Sequence, residues 1–119
     1  MRKIFLAVAL TFLTITSAFA WELDGKDQGV ELWVDITRGS SDTYRYEVRN
    51  YRDRIVCVFI WMTSSNNTTN GFSGGRNSVS AVVPPRASQG IGSVYGNTQT
   101  GYTFSYEWAW AERGNIDCP

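Results

Sequence analysis

From Tyr102 to Trp110 the chain places a ring at every second position, Tyr102, Phe104, Tyr106, Trp108 and Trp110, with Thr103, Ser105, Glu107 and Ala109 between them. A period of two belongs to an extended strand, whose successive side chains face opposite sides of a sheet. The pattern recurs upstream, where Val30, Leu32, Val34 and Ile36 alternate with Glu31, Trp33 and Asp35, and Tyr44, Tyr46 and Val48 with Arg45, Glu47 and Arg49. Clusters of Gly, Ser, Asn and Asp separate these runs, and no window carries the i, i+3, i+4, i+7 spacing of an amphipathic helix. The chain is expected to be all-β.

Pairing the two upstream runs as a hairpin with Thr37 opposite Thr43 sets Ile36 against Tyr44, Val34 against Tyr46 and Leu32 against Val48. It also sets Asp35 opposite Arg45 and Glu31 opposite Arg49, where opposite charges contribute at most about 1 kcal/mol per pair. A slip by one residue turns the apolar set to water, so agreement on both faces selects this register. An arrangement in which the two runs face each other across the core stays open. Residues 55–62 are apolar at every position and are expected to form the central strand. Residues 63–77, rich in Ser, Asn, Thr and Gly, read as a long exposed loop with Phe72 at its tip. Residues 78–83 form a short strand stopped by Pro84-Pro85, and residues 89–95 a weak one with Ile91 and Val94 inward. Six strands, or seven with residues 21–23 or the tail, imply a small antiparallel β-sandwich.

The first twenty residues differ from the rest. Met1-Arg2-Lys3 is a basic start, residues 4–16 are almost continuously apolar, and Ala18-Phe19-Ala20 is an A-x-A site, the plan of a bacterial-type secretory signal peptide. Cleavage after Ala20 leaves one domain over residues 21–119, secreted or periplasmic. That domain carries nine basic and eleven acidic side chains and no long basic run, which argues against nucleic acid. It also lacks a second apolar stretch of roughly 18–20 residues, which argues against a membrane span. Cys57 and Cys118 are the only cysteines. In an exported chain they are expected to pair, closing a loop worth about 4 kcal/mol on the chain-entropy account. The overlapping N-x-T sequons at Asn66 and Asn67 matter only in a glycosylating host.

The run ending in Asn50, the Arg52-Asp53 turn, the apolar Cys57 strand, and Val82-Val83-Pro84-Pro85-Arg86-Ala87-Ser88 leading to another strand together resemble the immunoglobulin-like domains of small exported proteins. Cys118, in the tail, departs from the true immunoglobulin plan. The resemblance implies an immunoglobulin-like fold and no function.

The chain has no histidine, so Ser-His-Asp and Cys-His triads and imidazole metal sites are excluded. GxxxxGK[ST] and GxGxxG are absent as well. Carboxylate chemistry remains. Glu31 and Asp35 lie four positions apart on one strand face, roughly 13–14 Å at about 3.4 Å per residue, beyond the spacing of a retaining glycosidase unless they lean together; Glu107 is a third candidate. Asp24-Gly25-Lys26-Asp27-Gln28-Gly29 is a poor calcium loop, since Lys26 and Gln28 stand where ligands belong, and reads as an acidic turn. No metal or cofactor is expected.

Fourteen aromatic residues lie beyond residue 20. Phe104, Tyr106 and Trp108 are expected to pack inward against Tyr44, Tyr46, Phe59 and Trp61. Trp33, Phe72, Trp110 and Trp21 are the candidate contact residues. The leading reading is a non-enzymatic, exported binding domain acting on a protein or a cell-surface component such as a glycan, through loops at one end, especially residues 63–77, and exposed aromatics, as an inhibitor, accessory or toxin-like protein. A carbohydrate-binding module requires two or more of Trp33, Trp108, Trp110 and Tyr102 in one exposed plane. A structural subunit of an exported assembly, joined through an edge strand such as 89–95, is the third reading.

Overall fold

The computed structural model describes residues 20–68, 72 and 77–113. Seven strands run through them: β1 (Trp21–Asp27), β2 (Val30–Thr37), β3 (Ser41–Asn50), β4 (Val56–Asn66), β5 (Ser78–Val83), β6 (Ser88–Asn97) and β7 (Thr103–Glu112). They form two antiparallel sheets, ordered β1-β2-β3-β6 and β5-β4-β7, whose apolar faces meet in one core. The expected all-β, sandwich-like architecture is present. The seventh strand is β1, so Asp24 and Asp27 belong to a strand and not to an acidic turn. Gln28 and Gly29, both at positive φ (49° and 90°), turn the chain into β2. Two such residues match the twist of a two-residue hairpin.

β2 and β3 pair in the expected register, from Val30 opposite Asn50 to Thr37 opposite Thr43. Asp35 forms its ion pair with Arg45. The second expected pair does not form. Arg49 turns to Glu47, 2.8 Å away, and Glu31 accepts a 2.8 Å hydrogen bond from Trp33 Nε1. The cause is the indole itself: the Arg49 guanidinium lies over it at 4.0 Å, where cation and ring attract.

β4 is the central strand of the smaller sheet, as its unbroken apolar run requires. It extends beyond the expected end, because β7 offers partners past a bulge between Met62 and Ser64, pairing Ser64, Ser65 and Asn66 with Ser105, Phe104 and Thr103. Residues 63–66 are therefore strand, and the hydroxyls of Thr63 and Ser64 each hydrogen-bond Ser105 at 2.7 Å. Phe72 is not an exposed loop tip. It is fully buried, with its ring 6.2 Å from Tyr46 and 6.5 Å from Tyr106.

β7 turns its rings inward, as expected, and they meet Tyr44 and Tyr46. They do not meet Phe59 or Trp61. Those two pair with Ala109 and Glu107 and share their outer face, whereas Val58 and Ile60 pair with Trp110 and Trp108. Away from the rings the core is aliphatic, with Val30, Leu32, Val48, Val56, Val58, Ile60, Val83 and Val94 all buried. Burying each such side chain stabilises the fold by about 1.5–3 kcal/mol as an upper bound.

Asn50 fastens the ends of the two sheets. Its buried amide donates to the carbonyls of Arg54, Val83 and Pro84 at 2.8, 3.1 and 3.0 Å. Its Oδ1 accepts from the Arg52 N–H at 2.9 Å. Asn50→Ala leaves several buried groups unpaired and is expected to cost about 2–4 kcal/mol. The check is a lower urea midpoint at an unchanged m-value.

Candidate binding cleft

β1 is the edge of the four-stranded sheet and β7 the edge of the three-stranded one. The two edges touch at one end, where Trp110 Nε1 donates to Asp27 Oδ2 at 3.0 Å. Toward the start of β1 they leave a cleft of about 420 Å³. Val34 and Ile36 of β2 and Tyr44 and Tyr46 of β3 line one side, Phe104 and Tyr106 of β7 the other, and Glu22 and Asp24 of β1 the rim. The rings meet edge to face, Tyr44 on Phe104 at 4.9 Å and Tyr46 on Tyr106 at 5.2 Å. That arrangement sets the positive edge of one ring against the negative face of the next.

Tyr102 closes one end. A Cβ built on Gly96 would lie 2.6 Å from its ring atoms, so the ring rests on a position that only glycine allows. The Tyr102 hydroxyl donates to Asp42 Oδ2 at 2.6 Å, and Arg38 Nη1 reaches the same oxygen at 2.7 Å. With its proton committed, Tyr102 accepts from the Tyr44 hydroxyl at 2.7 Å. The Arg38 charge is thereby matched by Asp42.

The opposite rim is not matched. Among the described residues neither Glu22 nor Asp24 has a cationic partner. Tyr46 is 4% exposed, and its hydroxyl has no hydrogen-bond partner among the described residues. Burial, and next the Asp24 charge, push the Tyr46 hydroxyl above the ordinary tyrosine range. Burial also raises the Asp24 carboxyl, with repulsion from Glu22 adding to it. Asp42 moves the other way, held below the usual range by the Tyr102 hydroxyl and then by Arg38.

The candidate contact residues do not converge here. Trp33 and Trp21 are half-buried on the outer face of the four-stranded sheet, and Arg45 lies over Trp21 at 5.7 Å. Trp110 faces inward at the far end of β7 with Arg52 over its ring at 4.8 Å. Phe72 is core. Nor do Glu31, Asp35 and Glu107 form a catalytic group, since the first two lie on the outer face of one sheet and Glu107 on the outer face of the other. Glu22 and Asp24 were missed because only Trp21 to Asp24 alternates before the bulge between Leu23 and Gly25 shifts the register, too short a run to mark a face. Among the described residues no group of three or more Asp, Glu, Cys or His side chains is placed to hold a metal. No helix there is long and apolar enough to cross a membrane.

Compared with protein-family models, curated proteins and solved structures, the chain finds no match.

The two shifted carboxyls have opposite linkage. Asp42, with its folded value lowered, contributes stability that is fully present above the usual aspartate value and is lost as pH falls through its lower folded value. Asp24, with its folded value raised, costs stability that is fully present above that raised value and vanishes below the usual one. Asp24→Asn is therefore expected to raise Tm at pH 7 and to leave it unchanged at pH 3. Asp42→Asn is expected to lower Tm at pH 7 and to flatten its fall in acid. Thermal unfolding across pH 2–8 checks both.

Proposed function

We propose that this is an exported, non-enzymatic, immunoglobulin-like domain that binds a protein partner through the cleft between β1 and β7. In this reading residues 1–20 direct export and are removed, and Cys57 pairs with Cys118. Cys57 is buried and no described cysteine is free; Cys118 and residues 1–19 lie outside the described residues. The observation that carries the proposal is the aromatic cleft with its unmatched acidic rim. Concave, mostly apolar sites with a few convergent polar groups are where ligands usually bind.

A glycan platform is less well supported. Trp33 belongs to a different sheet from Trp108 and Trp110, and the guanidinium of Arg49 already covers the Trp33 ring at 4.0 Å. A sugar ring needs that face open.

The immobilised protein is expected to retain a protein from the exported fraction of its producing cell. Tyr106→Glu is expected to abolish retention, and Asp53→Asn, at an exposed ion pair with Arg86, to preserve it. Equal retention by both variants would falsify the assignment of the cleft. For the disulfide, peptide mapping without reductant is expected to recover a Cys57 peptide linked to a Cys118 peptide. Recovery of an alkylated Cys57 peptide sinks that pairing.

A further inference from the structure

The cleft presents an electrostatic arrangement that the protein leaves incomplete. Glu22 and Asp24 stand at its rim with no cation beside them among the described residues. The faces of aromatic rings carry negative charge density, and Tyr44, Tyr46, Phe104 and Tyr106 line the walls. The hydroxyl of Tyr46, a side chain 4% exposed, lines the same space without a partner. The two buried carboxylates of the four-stranded sheet are each paired with a cation, Asp35 with Arg45 and Asp42 with Arg38, whereas Glu22 and Asp24 are exposed at the rim. Arg38, which reaches the hydroxyls of Tyr44 and Tyr102, is held by Asp42 at the end closed by Tyr102.

We propose that the cleft receives a basic side chain, lysine or arginine, of the protein partner. The assignment rests on the binding role given to the cleft above and specifies its ligand. The alkyl stem lies along the rings, where apolar area and cation–ring attraction both favour it. The charged head reaches the Glu22 and Asp24 carboxylates. An ammonium offers three donors and a guanidinium five, and the site supplies the two carboxylates and the Tyr46 hydroxyl to accept them. A neutral apolar side chain would fill the volume and leave the carboxylates facing each other uncompensated. An acidic one would be repelled. The raised Asp24 carboxyl follows from the same geometry, and a bound cation would offset the repulsion from Glu22.

The test is a titration of the purified protein followed through the ring resonances of Tyr46 and Tyr106 by NMR. The probes are the peptide acetyl-Gly-Lys-Gly-amide, its norleucine counterpart with the same stem and no charge, and n-butylammonium. The lysine peptide is expected to shift these resonances and to bind at least about tenfold more tightly than the norleucine peptide, a margin within the range of a partly desolvated cation on rings and carboxylates. The double substitution Glu22→Gln with Asp24→Asn is expected to remove that margin while the resonances of the aliphatic core stay in place. Tyr46→Phe is expected to weaken the lysine peptide by roughly threefold, the worth of one modest hydrogen bond. Equal affinity for lysine and norleucine peptides overturns the cation assignment and leaves the cleft as an apolar docking site. Butylammonium binding as tightly as the lysine peptide overturns the partner side chain as the source, in favour of a free amine. If no probe shifts the ring resonances, the cation assignment fails, while retention of a protein partner, lost in Tyr106→Glu, still decides the broader reading.

Discussion

The contact on which the rest of this structure depends is the edge-to-face packing of β3 rings against β7 rings. Tyr44 on Phe104 and Tyr46 on Tyr106, at 4.9 and 5.2 Å, bind two sheets that share no hydrogen-bonded strand. Aliphatic side chains on the remainder of the inner faces interdigitate and close the core. The rings close the core where Phe72 packs edge to face on Tyr46 and Tyr106, and the cleft lies where Tyr44, Phe104 and Tyr106 face the rim of β1.

The two faces of the four-stranded sheet treat charge in opposite ways. On the outer face the arginines and acids of β2 and β3 are occupied locally: Arg45 by Asp35 and Trp21, Arg49 by Glu47 and Trp33, Glu31 by the Trp33 indole. Such surface ladders add little stability, but they leave few unmatched charges to direct recognition. The rim of the cleft, by contrast, keeps two carboxylates without a counter-ion. Repulsion that a protein retains at a concave, ring-lined site is a stability cost of the sort found where binding groups are held ready for a ligand.

Much of this fold was legible because alternation survives wherever one face of a strand is apolar. Val30 to Ile36 and Tyr44 to Val48 specified not only two strands but their register, since a shift by one residue would have exposed both sets. The failures share one physical origin, which is that a single sequence does not say what lies across the core. Phe72 sits among polar loop residues in the chain and yet fills the space beside Tyr46 and Tyr106. Residues 63–66 have loop composition, and β7 made them strand by offering them hydrogen-bond partners. Phe59 and Trp61 were placed on the wrong face because an unbroken apolar run carries no alternation to orient it. Arg49 pairs with Glu47 and not Glu31 because the Trp33 indole lies under its guanidinium and itself donates to Glu31.

The cleft was the least legible feature, and the reason lies in β1. Glu22 and Asp24 alternate with Trp21 and Leu23, but the chain bulges between Leu23 and Gly25, so the periodic stretch is only four residues long and its acids resemble those of any turn. They acquire meaning only when β1 closes the edge of the larger sheet over β7. Closing that edge places carboxylates where an aliphatic strand would have sealed the sandwich with more buried apolar area. A strand selected for stability alone would carry apolar residues there. The choice of Glu22 and Asp24 over such residues, opposite the cleft rings, leaves this edge open to a positively charged group. The bulge that hides the strand from sequence reading is the same irregularity that re-aims its side chains, a common role of bulges at sheet edges beside functional sites.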